Sequence, residues 1–176
     1  MAISSCSCIN AASLKGLTMD CATNVGGIKE VFLRAYADNA FTVSGDTVTS
    51  VTSGASWYHY CLRKNTSEYN GTLTVNDNGS RFVQHLLTMV FQRMDATKRA
   101  EVQALSYGDV NAVFVDANGK YWAIPQDEPV SATDGTAATG VQKADSNQFT
   151  VVIGNETAAY AYELTADAIT ALEGLV

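Results

Sequence analysis

The stretch RFVQHLLTMVFQRMDATKRAEVQAL, residues 81–105, constrains the fold of this chain more than any other. Its first half has helical spacing, since Phe82, Val83, Leu86, Leu87, Val90, Phe91 and Met94 recur at i, i+4, i+8 and i+12. On periodicity alone a helix is favoured. Continued past Met94 at about 100° per residue, however, that helix would bring Lys98 and Glu101 onto the apolar stripe beside Leu105, and no residue in between breaks it. One continuous helix therefore contradicts its own amphipathicity. The conflict disappears if Asp95 is the N-cap of a separate short helix over 95–108, with Ala100 or Val102 and Leu105 on its apolar side and Gly108 closing it. Residues 81–94 are then predicted to be a strand. Val83, Leu87, Met89 and Phe91 form one face, while Phe82, Leu86, Val90 and Met94 share the other with Gln84, Thr88 and Gln92.

The flanking sequence reads as β-structure. NDNGS (76–80) is a turn in which Gly79 supplies positive φ, and it joins 81–94 to a strand in SEYNGTLTV (67–75). GGIKEVFLRAYA (26–37) alternates, with Ile28, Glu30, Phe32 and Arg34 facing one way and Lys29, Val31, Leu33 and Ala35 the other. Residues 38–56 run through two glycine turns with a short strand near 46–52, and WYHYCLRKN (57–65) is an aromatic strand. DVNAVFVDANGKYWAIP (109–125) is a hairpin around DANG. The polar segment 126–147 holds one weak strand near Val130–Thr133. Residues 148–164 predict a strand at 148–153, a turn at GNE, and a second strand carrying Tyr160 and Tyr162. TADAITALEGLV (165–176) is a short helix capped by Thr165. The expected fold class is mainly β: a sandwich or barrel with one flanking helix at about 95–107 and a short C-terminal helix. Residues 1–24 are expected to form an N-terminal arm and 25–176 a single domain.

Chemistry is harder to find. With 176 residues, 47% of them hydrophobic, the chain can bury a substantial core. Its net charge is −7, and the basic residues look dispersed: Lys98 and Arg99 on the helix, Arg63 and Lys64 at a strand end, Arg81 and Arg93 at the ends of 81–94. No basic patch for gripping phosphate is visible. The N-terminus has neither the basic nor the apolar region of a secretory signal, and no run reaches the length of a membrane span. Cys6, Cys8, Cys21 and Cys61 lack a zinc-ligand pattern with His59 or His85 and are expected to be reduced thiols. No phosphate loop or nucleophile elbow occurs, and Asp46, Asp77, Asp116, Asp127, Asp134 and Asp145 lie scattered in turns. No catalytic, cofactor-binding or metal-binding residue is assigned and no cofactor is expected. Trp57 and Trp122 read as core or interface residues.

Taken in order, CATNVGGIKEVFLRAY, the block NDNGSRFVQHLLTMVFQRMDATKRAEVQALSYGDVNAVFVDANGKYWAIP, DGTAATG and NQFTVVIGNETAAYAYEL resemble the tail tube proteins of tailed phages and prophages of Bacteroides-type bacteria. The resemblance covers roughly residues 20–164, and MDATKRAEVQAL with DANGKYW is its most specific part. It implies a structural virion protein rather than an enzyme. Subunits of that family form rings, commonly hexamers, whose inner strands join into a β-lined channel. The rings stack into a tube through which DNA leaves the capsid. The fold is shared with injection-system tubes.

The resemblance thus implies these partners: further copies of the same chain, other tail or connector proteins, and phage DNA passing without specific binding. A membrane is not among them. It also implies assembly in the host bacterial cytoplasm and a place in the virion tail. The arm 1–24 and the loop 39–54 are expected to join neighbouring subunits, and the channel is expected to be acidic or neutral. The alternatives are another virion ring or connector, a contractile-injection tube, or a monomeric β-sandwich that binds glycans through Trp57, Tyr58 and Tyr60.

Overall fold

A computed structural model describes residues 16–17 and 23–176, so most of the arm expected at 1–24 lies outside the described residues. In chain order the elements are β1 (Ile28–Ala35), β2 (Phe41–Ser44), β3 (Thr47–Val51), β4 (Tyr58–Cys61), β5 (Glu68–Val75), β6 (Arg81–Gln92), α1 (Ala96–Tyr107), β7 (Val110–Asp116), β8 (Tyr121–Ala123), β9 (Ser131–Ala138), β10 (Gln148–Thr157), β11 (Tyr162–Leu164) and α2 (Ala166–Glu173). They form a β-sandwich. A seven-stranded sheet of order β2-β3-β11-β8-β7-β1-β4 packs on a four-stranded antiparallel sheet of order β5-β6-β10-β9.

The region whose periodicity favours a helix is the twelve-residue strand β6. It pairs with β5 through the 76–80 turn, from Val75 opposite Arg81 to Glu68 opposite Thr88, and Gly79 has φ +84°. Its other neighbour is β10, paired without a break from Gln92 to Val83. The helix that follows begins where the phase argument puts it. The Asp95 carboxylate accepts the Lys98 amide at 2.8 Å, satisfying a donor that the first helical turn leaves free. In the same way Thr165 caps α2, accepting from the Ala168 amide.

Two apolar cores explain the burial. Between the sheets, Val31, Leu33, Ala112 and Phe114 of the larger sheet meet Leu87, Met89, Val151 and Ile153 of the smaller one, and Leu105 of α1 closes one side. On the far face of the larger sheet, Phe32, Val113, Val115, Val48 and Trp57 pack with Ala168 and Leu172 of α2. The larger sheet is therefore covered on both faces, which is why residues 112–115 of β7 read as an unbroken apolar run. Among the described residues no helix or strand covers the outer face of the smaller sheet.

Several sequence expectations are corrected. The turn expected at GNE does not form: β10 continues through Gly154, Asn155 and Glu156 to Thr157, pairing with β6 throughout. Glycine is used there for close packing, because a Cβ at 154 would collide with the His85 carbonyl oxygen of β6. Tyr160 accordingly lies outside β11. The loop expected at 39–54 is a β2–β3 hairpin at the edge of the larger sheet, and the weak strand near 130–133 is an eight-residue edge strand. In β1 the strict alternation fails at a bulge between Ile28 and Glu30, which turns Ile28 inward beside Val31 and Leu33.

Candidate functional site

Among the described residues the smaller sheet has two free edges, β5 and β9, and one free face. Strand directions alternate across it, so β5 and β9 run in opposite directions. Neither edge strand contains the Lys or Pro that usually blunts such an edge. At the end of β5, Leu73 and Val75 are 50% and 56% exposed.

Pairing register defines the free face. Glu68, Thr88, Val152 and Asp134 form one row across the four strands, and Thr72, Gln84 and Glu156 form another. Val90, Thr150 and Thr136 form a third, and Gln92, Gln148 and Ala138 a fourth. Two further rows, Asn70 with Leu86, Gly154 and Ser131, and Thr74 with Phe82, complete it, so hydroxyls, amides and three carboxylates share this surface with Phe82, Leu86, Val152 and the buried Val90. The four strands contain a single basic residue, Arg81, at the first position of β6 and on the opposite face by alternation.

The basic residues that look dispersed in sequence are largely gathered at one end of this sheet. The β5–β6 hairpin brings 63–66 beside 92–93, so Arg63, Lys64 and Arg93 line a cleft of about 540 Å³ with Thr66, Gln92, Asp145 and Asn147. The Arg63 guanidinium donates to the Gln92 side chain. Arg93 takes φ +61°, with its amide donating to the Asn147 carbonyl at 2.7 Å. Lys98 and Arg99 follow in the first turn of α1, where the helix dipole disfavours cations. Asp95 partly offsets them, at 3.1 Å from the Lys98 ammonium. Arg81 stands apart from this group, at the other end of β6.

The opposite end is acidic. Asp127 and Glu128 lie in the β8–β9 connection, which is fixed to the far part of β10 where the Asn155 amide donates to the Pro125 and Glu128 carbonyls, both at 3.0 Å. The β1–β2 connection joins them, because the Tyr36 hydroxyl donates to the Gln126 carbonyl and the Gln126 side chain brackets Phe41. The Tyr36 hydroxyl has its pKa raised, first by the Asp38 carboxylate beside it and further by Asp127 and Glu128. Burial raises that of Tyr162, with Asp127 and Asp46 adding to the shift. Asp127 thus adds its negative charge at both tyrosines, behind a larger cause in each: Asp38 for Tyr36 and burial for Tyr162.

The aromatic platform expected for a glycan does not exist as a unit. Trp57 is 2% exposed and packs on Phe41, leaving Tyr58 exposed while the Tyr60 hydroxyl donates to Glu101. His59 lies 3.1 Å from the Glu30 carboxylate, and Cys61 is an exposed free thiol. His85 is fully buried, a role that its apolar sequence context did not disclose. A second cleft of about 510 Å³ opens beneath β5, lined by Tyr69, Phe114, Trp122 and Tyr160 with Glu68 and Asp116. Among the described residues no group of three or more His, Cys, Asp or Glu side chains is placed to hold a metal ion. No family model matches the chain, and no curated protein matches it.

Proposed function

We propose that this chain is a structural, self-assembling tube subunit of the phage tail-tube kind, and that its four-stranded sheet forms the channel wall. The observation that carries the reading is the pair of free, oppositely directed edges bounding an uncovered face without cations. A rotation about an axis outside the sheet sets β9 of one copy beside β5 of the next. Because these strands run in opposite directions, the junction is antiparallel and the sheet continues from copy to copy. Such a heterologous contact closes into a ring when the rotation divides the circle.

If six copies join, as the resemblance implies, strands about 4.8 Å apart and tilted by 35–45° close into a barrel roughly 50 Å across at the backbone. The free face, in which Thr, Gln, Asn, Asp and Glu are interspersed with Phe82, Leu86 and Val152, then lines the lumen. Phosphate finds no cation on it to bind, so DNA passes without being held. Closing the ring also removes the unprotected edges that would endanger a monomer.

Negative-stain microscopy of the purified protein tests this. Rings or tubes on the order of 100 Å wide support it, since each barrel strand is backed by the second sheet and α2. A monodisperse monomer, or a two-fold dimer joined edge to edge through β5, overturns it.

A further inference from the structure

We infer that rings of this chain stack head to tail by charge, the acidic end of one copy seating against the basic end of the next. This rests on the tube reading above and adds to it the contact that turns rings into a tube. Arg63, Lys64, Arg93 and Lys143 are exposed at the end of the smaller sheet where β6 finishes and β10 begins. Asp38, Asp46, Asp127 and Glu128 are exposed at the other end. The two groups are separated by most of β10: Asn155, which holds the acidic loop, is seven residues beyond Gln148, or about 24 Å along the strand.

Other elements share this polarity. β1 runs from Ile28, in a cleft shared with Lys64, to Ala35 beside Tyr36. α1 runs from Asp95, next to Arg93, to Gly108, next to Asp109, whose carbonyl accepts the Tyr36 amide. Its positive pole therefore lies at the basic end and its negative pole at the acidic end. Lys98 and Arg99 in the first turn reinforce the basic end against the preference of the helix itself.

The occupant follows from the geometry. Each chain carries both charge groups, at opposite ends of one axis, and that axis runs along the channel wall. A translation along it brings unlike ends together and leaves one of each free, so the contact does not close on itself and propagates as a filament. Like ends repel, which excludes head-to-head stacking and gives the tube one polarity. Because the charges are exposed, stacking should weaken as salt shortens the Debye length to roughly 3 Å at 1 M.

Two double variants test the inference: Arg63→Glu with Arg93→Glu, and Asp127→Lys with Glu128→Lys. All four side chains are exposed, and circular dichroism with thermal melting checks that each variant is folded. Each variant alone is expected to give rings in microscopy and sedimentation but at least tenfold fewer stacked tubes than wild type. Mixed in equal amounts, the two are expected to recover mixed stacks through the reversed pair of ends. Normal tubes from either variant alone, or loss of stacking that mixing does not rescue, overturns the inference while leaving the ring reading intact. A wild-type chain that forms neither rings nor tubes overturns both. Should the Arg63/Arg93 variant unfold, Lys143→Glu takes its place, and should the Asp127/Glu128 variant unfold, Asp46→Lys does; both residues are exposed and the outcomes are the same.

Discussion

The Tyr69 hydroxyl stands 2.6 Å from Nδ1 of His85, linking the free edge strand β5 to the centre of the sandwich. On the other side of the ring, His85 Nε2 lies 3.0 Å from the Ala159 carbonyl and 2.9 Å from the Thr157 hydroxyl. A carbonyl only accepts, so Nε2 carries the proton, Nδ1 is the bare acceptor, and the tyrosine donates to it. Burial lowers the His85 pKa, partly opposed by the Ala159 carbonyl, and pushes that of Tyr69 up to about 12. The pair is thus held neutral, with every ring nitrogen satisfied.

The stability of the fold should depend on this histidine. Its folded pKa is lowered, so the unfolded chain takes up a proton that the folded chain refuses. The associated stability is complete above the unfolded value of about 6.5 and is lost as pH falls below it toward the folded pKa. Melting temperatures of unassembled protein are expected to drop steadily from pH 7 to pH 5. His85→Gln is expected to melt lower at pH 7 but with a shallower slope across that window. An equal slope in the variant assigns the pH dependence elsewhere.

Tyr69→Phe keeps the ring that stacks on Phe114 at a centroid distance of 4.3 Å and removes only the hydroxyl. It leaves a buried nitrogen without its donor, at a cost of about 1–3 kcal/mol. Urea unfolding at pH 7 measures this, and a change below a few tenths of a kcal/mol would show that water replaces the hydroxyl.

Asp95→Ala removes the carboxylate that accepts the Lys98 amide. Loss of this cap is expected to cost about 1 kcal/mol. An unchanged melting temperature in a non-assembling form would count against the cap.

Gly154→Ala places a Cβ against the His85 carbonyl, in the middle of the β6–β10 ladder. Backbone cannot yield there as a side chain would, so destabilisation of about 3 kcal/mol or outright loss of soluble protein is expected. Near-normal stability would mean that the two strands separate at this row.

Assembled tubes are expected to show no measurable affinity for double-stranded DNA near physiological salt. Thr150→Lys, on the free face of β10, should create affinity that weakens steeply with salt, because each copy then offers the lumen a cation. Micromolar, salt-sensitive binding by the wild-type tube would overturn the channel assignment. Absence of any gain in the variant would show that this face does not line the lumen.

Local sequence determined the signals that depend on neighbours along the chain. Asp95 and Thr165 as caps, Gly79 in its turn, and the phase break at Lys98 and Glu101 all concern groups within one or two turns of each other. Those residues were enough to identify β6 as a strand against its own helical spacing, and with it the mainly β class. Tertiary structure decided what distant segments do to one another. Whether Gly154 made a turn or a tight strand crossing depended on the backbone of His85, nearly seventy residues earlier in the chain. His85 itself became a buried hub only because Tyr69, Thr157 and Ala159 converged on it. The charges followed the same logic: Arg63 and Arg93 are distant in sequence and line one cleft because a hairpin folds one toward the other, while Asp38 and Asp127 both act on Tyr36 because Gln126 brackets Phe41. Net charge is a sum over residues and needs no fold. Its separation into a basic end, an acidic end and a cation-free face is a property of strand pairing, which local sequence does not contain.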